Sequence, residues 1–141
     1  MHFQSEKRIL RLITTGGGLR ALEEARCACR GCFLDKFVQP SILLELYRHS
    51  QPAPALQRLI EGRSMLRESL DPTGFYRTLK KMEEAGRIIS KWEVAKGRRP
   101  VRVYTLTAAG KECLYTWRRT LSAYRGSIDE LLADMDALAI E

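Results

Sequence analysis

Three thiols, Cys27, Cys29 and Cys32, fall within six residues in the run Cys27-Ala28-Cys29-Arg30-Gly31-Cys32. Clustered thiolates are soft donors that suit zinc or an iron–sulfur cluster. Cys27 and Cys29 would point to nearly opposite sides of a helix, so a shared metal requires a turn, which Gly31 can supply. A fourth ligand would have to come from Cys113, His2, His49 or a thiol of a second subunit. Without metal, Arg26 and Arg30 would favour the thiolates and make the cluster a redox switch. The plain alternative is three small residues packing a helix onto a core. A second chemistry lies in cationic groups between residues 70 and 110. Arg77, Lys80 and Lys81 come first, then Lys91, Lys96, Arg98, Arg99 and Arg102, groups suited to neutralising phosphates.

Two elements must position those cations. Asp71 can cap a helix that begins at Pro72, where a missing N–H costs nothing. Phe75, Leu79 and Met82, with Tyr76 alongside, recur at spacings of three and four and mark one apolar stripe. The opposite face carries Thr73, Gly74, Arg77, Thr78, Lys80 and Lys81. A charged helix face also serves solubility, so this face alone does not define a site. After Gly86, a helix stop, Ile88–Val94 and Val101–Leu106 read as strands joined by the turn-rich connector 95–100. The hairpin holds five cations against the single acid Glu93. Its alternative role is an edge hairpin guarded by charge. A short helix followed by a basic hairpin is the layout of a winged helix.

The rest of the chain supplies the frame. Residues 4–13 and 19–30 read as short helices separated by Gly16-Gly17-Gly18. From Val38, with Pro40 near its start, Ile42, Leu43, Leu44, Leu46 and Tyr47 predict a core helix. Gln51-Pro52-Ala53-Pro54 breaks it, and residues 55–61 predict a second helix carrying Leu56, Leu59 and Ile60. Leu114, Trp117, Leu121, Tyr124, Ile128, Leu131, Met135 and Leu138 then follow a heptad seam, predicting one long helix over about 108–139. A helix of that length exceeds what a small domain can cover, so the seam reads as a dimerisation surface. The alternative is a helix folded back on its own domain. The expected fold is α+β, mostly α: an N-terminal Cys-containing extension over 1–37, a winged-helix domain over 38–106 and a C-terminal dimerisation helix over 107–141.

Composition agrees with that division. The chain has 141 residues and a formal net charge of +7. Residues 127–141 hold Asp129, Glu130, Asp134, Asp136 and Glu141 with no Lys or Arg, so the upstream part is more basic than the total implies. Such asymmetry fits a polyanionic partner. No apolar run approaches the ~20 residues that span a bilayer, and the N-terminus lacks a signal-peptide core, which predicts a cytoplasmic protein. Enzymatic motifs are missing: there is no Gly-rich phosphate loop, G-x-S-x-G or H-E-x-x-H, and the two histidines lie far apart in sequence.

Three blocks together resemble the PadR-like transcriptional regulators. These are the apolar run from Ile42 to Leu59, the segment Asp71-Pro72-Thr73-Gly74-Phe75-Tyr76-Arg77-Thr78-Leu79-Lys80-Lys81-Met82-Glu83-Glu84-Ala85-Gly86, and Tyr104-Thr105-Leu106-Thr107-Ala108-Ala109-Gly110. The family pattern is an apolar helix, a "S-P-G-T-L-Y-x-x-L-x-x-L-E-x-x-G-L-I" segment, a Gly/Arg-rich wing and "Y-x-L-T-x-x-G". The resemblance covers about residues 38–112 plus a C-terminal helix of suitable length. It implies a homodimeric repressor that places its third helix in the major groove of double-stranded DNA and its wing on the backbone or minor groove. Tyr76 matches the family tyrosine that contacts the DNA backbone. Thr73, Gly74, Arg77, Lys80, Lys81, Lys96, Arg98, Arg99 and Arg102 complete the expected DNA-binding set.

The departures from the pattern are specific. Thr73 and Gly74 stand in inverted order, which moves the hydroxyl about 100° around the helix. Asp71 replaces serine, and Pro52-Ala53-Pro54 stands where His-Gly-Tyr is common. Some relatives bind aromatic effectors at the dimer centre. Here Trp117 and Tyr124 lie on the seam, but Trp117 does not align with the stacked tryptophan of the multidrug-binding members. Effector control by an aromatic molecule, a metal or redox state therefore stays open at this level. So does a competing use of the same fold, as an RNA-binding or protein-interaction module.

Overall fold

The computed structural model describes residues 35–64, 66 and 71–138. The short helices read at 4–13 and 19–30, and Cys27, Cys29 and Cys32, lie outside the described residues. A 3-10 turn, Asp35–Phe37, leads into helix α1, Val38–Arg48. The Ser41 hydroxyl donates to the Phe37 carbonyl at 2.7 Å and ties this first turn down. Strand β1, Gln51–Pro52, helix α2, Ala53–Glu61, and helix α3, Pro72–Glu84, follow. Strands β2, Ile88–Glu93, and β3, Val101–Leu106, precede the long helix α4, Ala108–Ala137. Among the described residues, four α-helices and a small antiparallel sheet of order β1-β3-β2 make a winged helix.

The core draws on α1, α2, α3 and the β2–β3 hairpin. Ile42, Leu43 and Leu46 of α1 meet Leu56 and Ile60 of α2, Phe75, Leu79 and Met82 of α3, and Ile88 and Tyr104 of the sheet. Each such large apolar side chain contributes about 1.5–3 kcal/mol by leaving water. Tyr47 and Leu59, read as core from their periodicity, are instead exposed. Glu45 is buried, and Arg63 reaches its Oε1 at 2.9 Å, with Arg48 at 3.5 Å. A carboxylate is tolerated there because it is paired.

The sequence reading of 51–54 as a simple break needs correction. Gln51 and Pro52 form a third strand, pairing with Tyr104 and Val103, and α2 starts at Ala53 rather than 55. A residue before proline prefers extended backbone, and a proline tolerates the edge of a sheet. Pro54 then sits in the first turn of α2, where its missing N–H is not needed.

Helix α4 is tied to α3 by the Thr107 side chain. Its hydroxyl donates to the Gly86 carbonyl at 2.7 Å and accepts from Gly110 N–H at 3.0 Å as the α4 cap. Gly86, at φ +76°, ends α3, and Arg87 N–H closes back on the Met82 carbonyl at 3.0 Å. A Cβ on Gly110 would overlap the Arg87 carbonyl oxygen, so that glycine lets α4 approach the start of β2. No helix among the described residues is long and apolar enough to cross a membrane.

The expected seam on α4 divides in two. Leu114 and Trp117 pack on the domain's own core, and the Trp117 indole N–H donates to Gln39 Oε1 at 3.0 Å while its ring meets Phe37 edge-on. Leu121, Tyr124, Ile128, Leu131, Met135 and Leu138 stay exposed.

Candidate nucleic-acid interface

The third helix presents its cations as the stripe requires. Phe75, Leu79 and Met82 are buried, which turns Arg77, Lys80 and Lys81 outward together with Thr73. Tyr76 is 45% exposed, its ring held edge-on against Phe75 at 5.3 Å. Thr78 faces back, its hydroxyl donating to the Gly74 carbonyl at 2.9 Å. Asp71 caps the helix by accepting from Gly74 N–H at 2.5 Å. A Cβ on residue 74 would collide with that Asp71 carboxylate, so the inverted Thr73-Gly74 order keeps a glycine where this cap needs one.

The hairpin register is fixed by six cross-strand pairs from Ile88–Leu106 to Glu93–Val101. Ile88, Ser90 and Trp92 share one face with Leu106, Tyr104 and Arg102, because side chains alternate along a strand. The inner end of that face is buried by Ile88 and Tyr104; the outer end carries Trp92, 66% exposed and directly opposite Arg102. Lys91, Lys96, Arg98 and Arg99 are exposed, and Gly97 takes φ +80° at the tip.

Helix and wing are joined by a polar cluster. Arg102 donates from its NH2 group to Glu83 Oε2 at 3.1 Å and from Nε to Ser90 Oγ at 2.7 Å, and Ser90 donates to Glu83 Oε1 at 2.5 Å. The Arg102 guanidinium also lies 5.6 Å from the centre of the Tyr104 ring. Burial raises the Tyr104 pKa above its ordinary value; Arg102 opposes that shift, while Glu83 and Tyr76 add to it. Arg102, grouped by sequence with the free wing cations, thus has a structural partner. Glu83, Ser90 and Trp92 were not singled out from the sequence. Strand alternation placed Ser90 and Trp92 with Tyr104, but nothing in the sequence showed that Glu83 meets that face.

The profile of the "Transcriptional regulator PadR-like family" matches residues 53–116. A protein of Thermoplasma acidophilum, named as a transcriptional regulator, is similar at 31% identity and a TM-score of 0.57, over 71% of this chain and 94% of that one. The chain belongs to the PadR-like family of transcriptional regulators. A PadR family regulator of Clostridium difficile shares the fold at 21% identity and TM-score 0.61, over 68% of this chain and 98% of that one. PadR of Bacillus subtilis, solved in complex with operator DNA, shares it at 22% identity and TM-score 0.50, over 57% of this chain and 45% of that one. No curated protein matches significantly.

Within this PadR-like fold the closing motif has a mechanical meaning. Tyr104 fills the core end of the wing, Thr107 caps α4 and holds the end of α3, and Gly110 permits their contact. Among the described residues, no group of three or more His, Cys, Asp or Glu is placed to hold a metal ion. Cys113, one candidate fourth ligand, accepts from Arg87 Nε at 3.2 Å.

Proposed function

We propose that this PadR-like chain is a homodimeric repressor that binds double-stranded DNA, with α3 in the major groove and the wing on the backbone. The observation that carries this reading is the pair of cationic surfaces, Arg77, Lys80 and Lys81 on α3 and Lys96, Arg98 and Arg99 on the wing, on elements locked together through Glu83 and Arg102. Tyr76 lies at the edge of the α3 face, where its phenol can reach a phosphate. Phosphate contacts fix orientation, and base contacts from α3 select sequence. The operator-bound relative supports the same use of the fold. The exposed α4 residues from Leu121 to Leu138 supply the dimer surface, and two subunits give two half-sites about one helical turn apart.

In this reading residues 38–106 are the DNA-binding domain, 107–141 the dimerisation helix and 1–37 an extension that carries the effector chemistry of Cys27, Cys29 and Cys32, as zinc, iron–sulfur or redox site. An aromatic effector near Trp117 and Tyr124 is the other input. The protein acts in the cytoplasm, without a membrane partner. Selection of bound sequences from a random duplex pool, followed by footprinting, tests the central claim. A two-fold symmetric site is expected; binding to RNA or protein without preference among duplexes would overturn it. Metal content of anaerobically purified protein, with DNA affinity before and after oxidation, tests the thiol cluster.

A further inference from the structure

The chain has two tryptophans, and the fold treats them oppositely. Trp117 packs against the core and donates its indole N–H to Gln39. Trp92 is 66% exposed, on a strand that forms one edge of the sheet. A single exposed apolar residue needs no explanation by itself, but the position of this one gives it a use.

Ser90, Trp92, Arg102 and Tyr104 share the hairpin face that looks toward α3, where Ser90 and Arg102 both bond Glu83. Trp92 stands about 7 Å from Ser90 on that face, on the side of the wing tip. Tyr76, Lys80 and Glu83, spaced four and three apart, turn one stripe of α3 toward the same face. Between that stripe and the wing lies an open cleft of 430 Å³, lined from the wing by Arg102 and Tyr104. Along the wing from Trp92 come Lys91, Lys96, Arg98 and Arg99, all exposed, against the one acid Glu93.

We propose that Trp92 enters the minor groove beside the major-groove segment read by α3, and selects A·T over G·C at the step it touches. This rests on the duplex-binding reading above and adds a base-reading residue to a wing otherwise assigned to the backbone. The wing cations draw a polyanion to this face, and α3 and the hairpin open toward it together. A ring laid against the deoxyribose wall of the groove exchanges water for apolar contact. The indole N–H is a donor only, and the minor-groove edge of an A·T pair shows only acceptors, adenine N3 and thymine O2. A G·C pair adds the guanine N2 amino donor, which opposes that N–H. Runs of A·T also narrow the groove, which brings its walls closer to a flat ring and deepens the negative potential met by Arg98 and Arg99.

Duplex selection with the full-length wild type, Trp92→Phe and Trp92→Ala tests the assignment, followed by titrations at several salt concentrations. Wild type should prefer A·T by about threefold to tenfold at a position flanking each half-site, the range of one net hydrogen bond. Trp92→Phe keeps a ring and removes the donor, so it should lose that preference while the sequence read by α3 is unchanged. Trp92→Ala should in addition weaken binding to all duplexes by about tenfold, at an unaltered salt slope, because no phosphate contact is lost. Both variants should keep the wild-type denaturant midpoint, since the ring is exposed. The proposal falls if wild type selects half-sites without a flanking A·T position, or if Trp92→Phe keeps the preference. It falls equally if Trp92→Ala binds as tightly as wild type, which would leave the ring to a protein partner. A shallower salt slope in Trp92→Ala would mean that the ring only places the wing cations, and overturns it too. A wild type with no preference among duplexes would instead remove the duplex-reading role itself.

Discussion

Glu83 of α3 and Arg102 of β3 form an ion pair with N–O distances of 3.1 and 3.3 Å, and Ser90 bridges the same two groups. Both charged side chains are partly exposed, so the pair contributes little to stability by itself. Its effect is geometric, since it ties the wing to the third helix and engages the Arg102 guanidinium within the fold. Glu83→Gln should therefore free Arg102. Affinity for all duplexes should rise, with the salt slope steeper by about one phosphate contact, while discrimination between operator and random duplex falls. Titrations at several salt concentrations check this; a variant that keeps its discrimination would show that the link does not position the wing.

The wing tip and the third helix should fail differently when trimmed. Arg98→Ala with Arg99→Ala removes two exposed cations that have no ion-pair partner among the described residues, and should weaken binding to every duplex alike and shallow the salt slope by about two. Arg77→Ala should change the preferred sequence at one position of each half-site, by about 1–3 kcal/mol of discrimination. Repeating the duplex selection with each variant separates the two. Identical effects on all duplexes would contradict the division of roles.

Two glycines in the sequence blocks have measurable structural reasons. Gly110→Ala drives a methyl group into the Arg87 carbonyl, which is backbone and cannot swing away, and should cost about 1–3 kcal/mol through forced shifts. Gly74→Ala meets a side-chain carboxylate that can move, at the expense of the helix cap, so about 1 kcal/mol is expected. Denaturant midpoints should rank Gly110→Ala below Gly74→Ala, with Thr73→Ala close to wild type. The reverse order would mean that the cap, not the α4 junction, limits stability.

Most of the frame was legible because periodicity reports burial. The stripe Phe75, Leu79, Met82 and the strands around Ile88 and Tyr104 all reach the core, and the caps at Asp71 and Gly86 stand where their chemistry placed them. Misses came where one pattern served two purposes. Prolines at 52 and 54 signalled a break, but the same restrictions suit an edge strand and a first helical turn, so β1 was hidden. The heptad seam was continuous in sequence, yet Leu114 and Trp117 are spent on the chain's own core, because period alone does not say which partner covers a face. The cation set was visible, but the Glu83–Arg102 link joins residues 19 apart and depends on how the hairpin lies over α3.

The core end of the wing gives a pH signature. Tyr104 is only 6% exposed, and burial raises its pKa above the ordinary phenol value of 10.0, although Arg102 opposes the shift. Because the folded state holds the phenol proton more tightly than the unfolded chain, the stability linked to it is fully present below pH 10 and is lost as pH rises through the folded pKa. Tyr104→Phe keeps the ring in the core and removes the titrating group. The loss of stability between pH 9 and 11 should therefore be smaller in Tyr104→Phe than in wild type, with the two curves parallel below pH 9. Chemical denaturation at a series of pH values reads the difference. A wild-type minus variant gap that stays constant through pH 11 would mean that the phenol ionises as easily in the fold as in the unfolded chain, and that Arg102 offsets its burial in full.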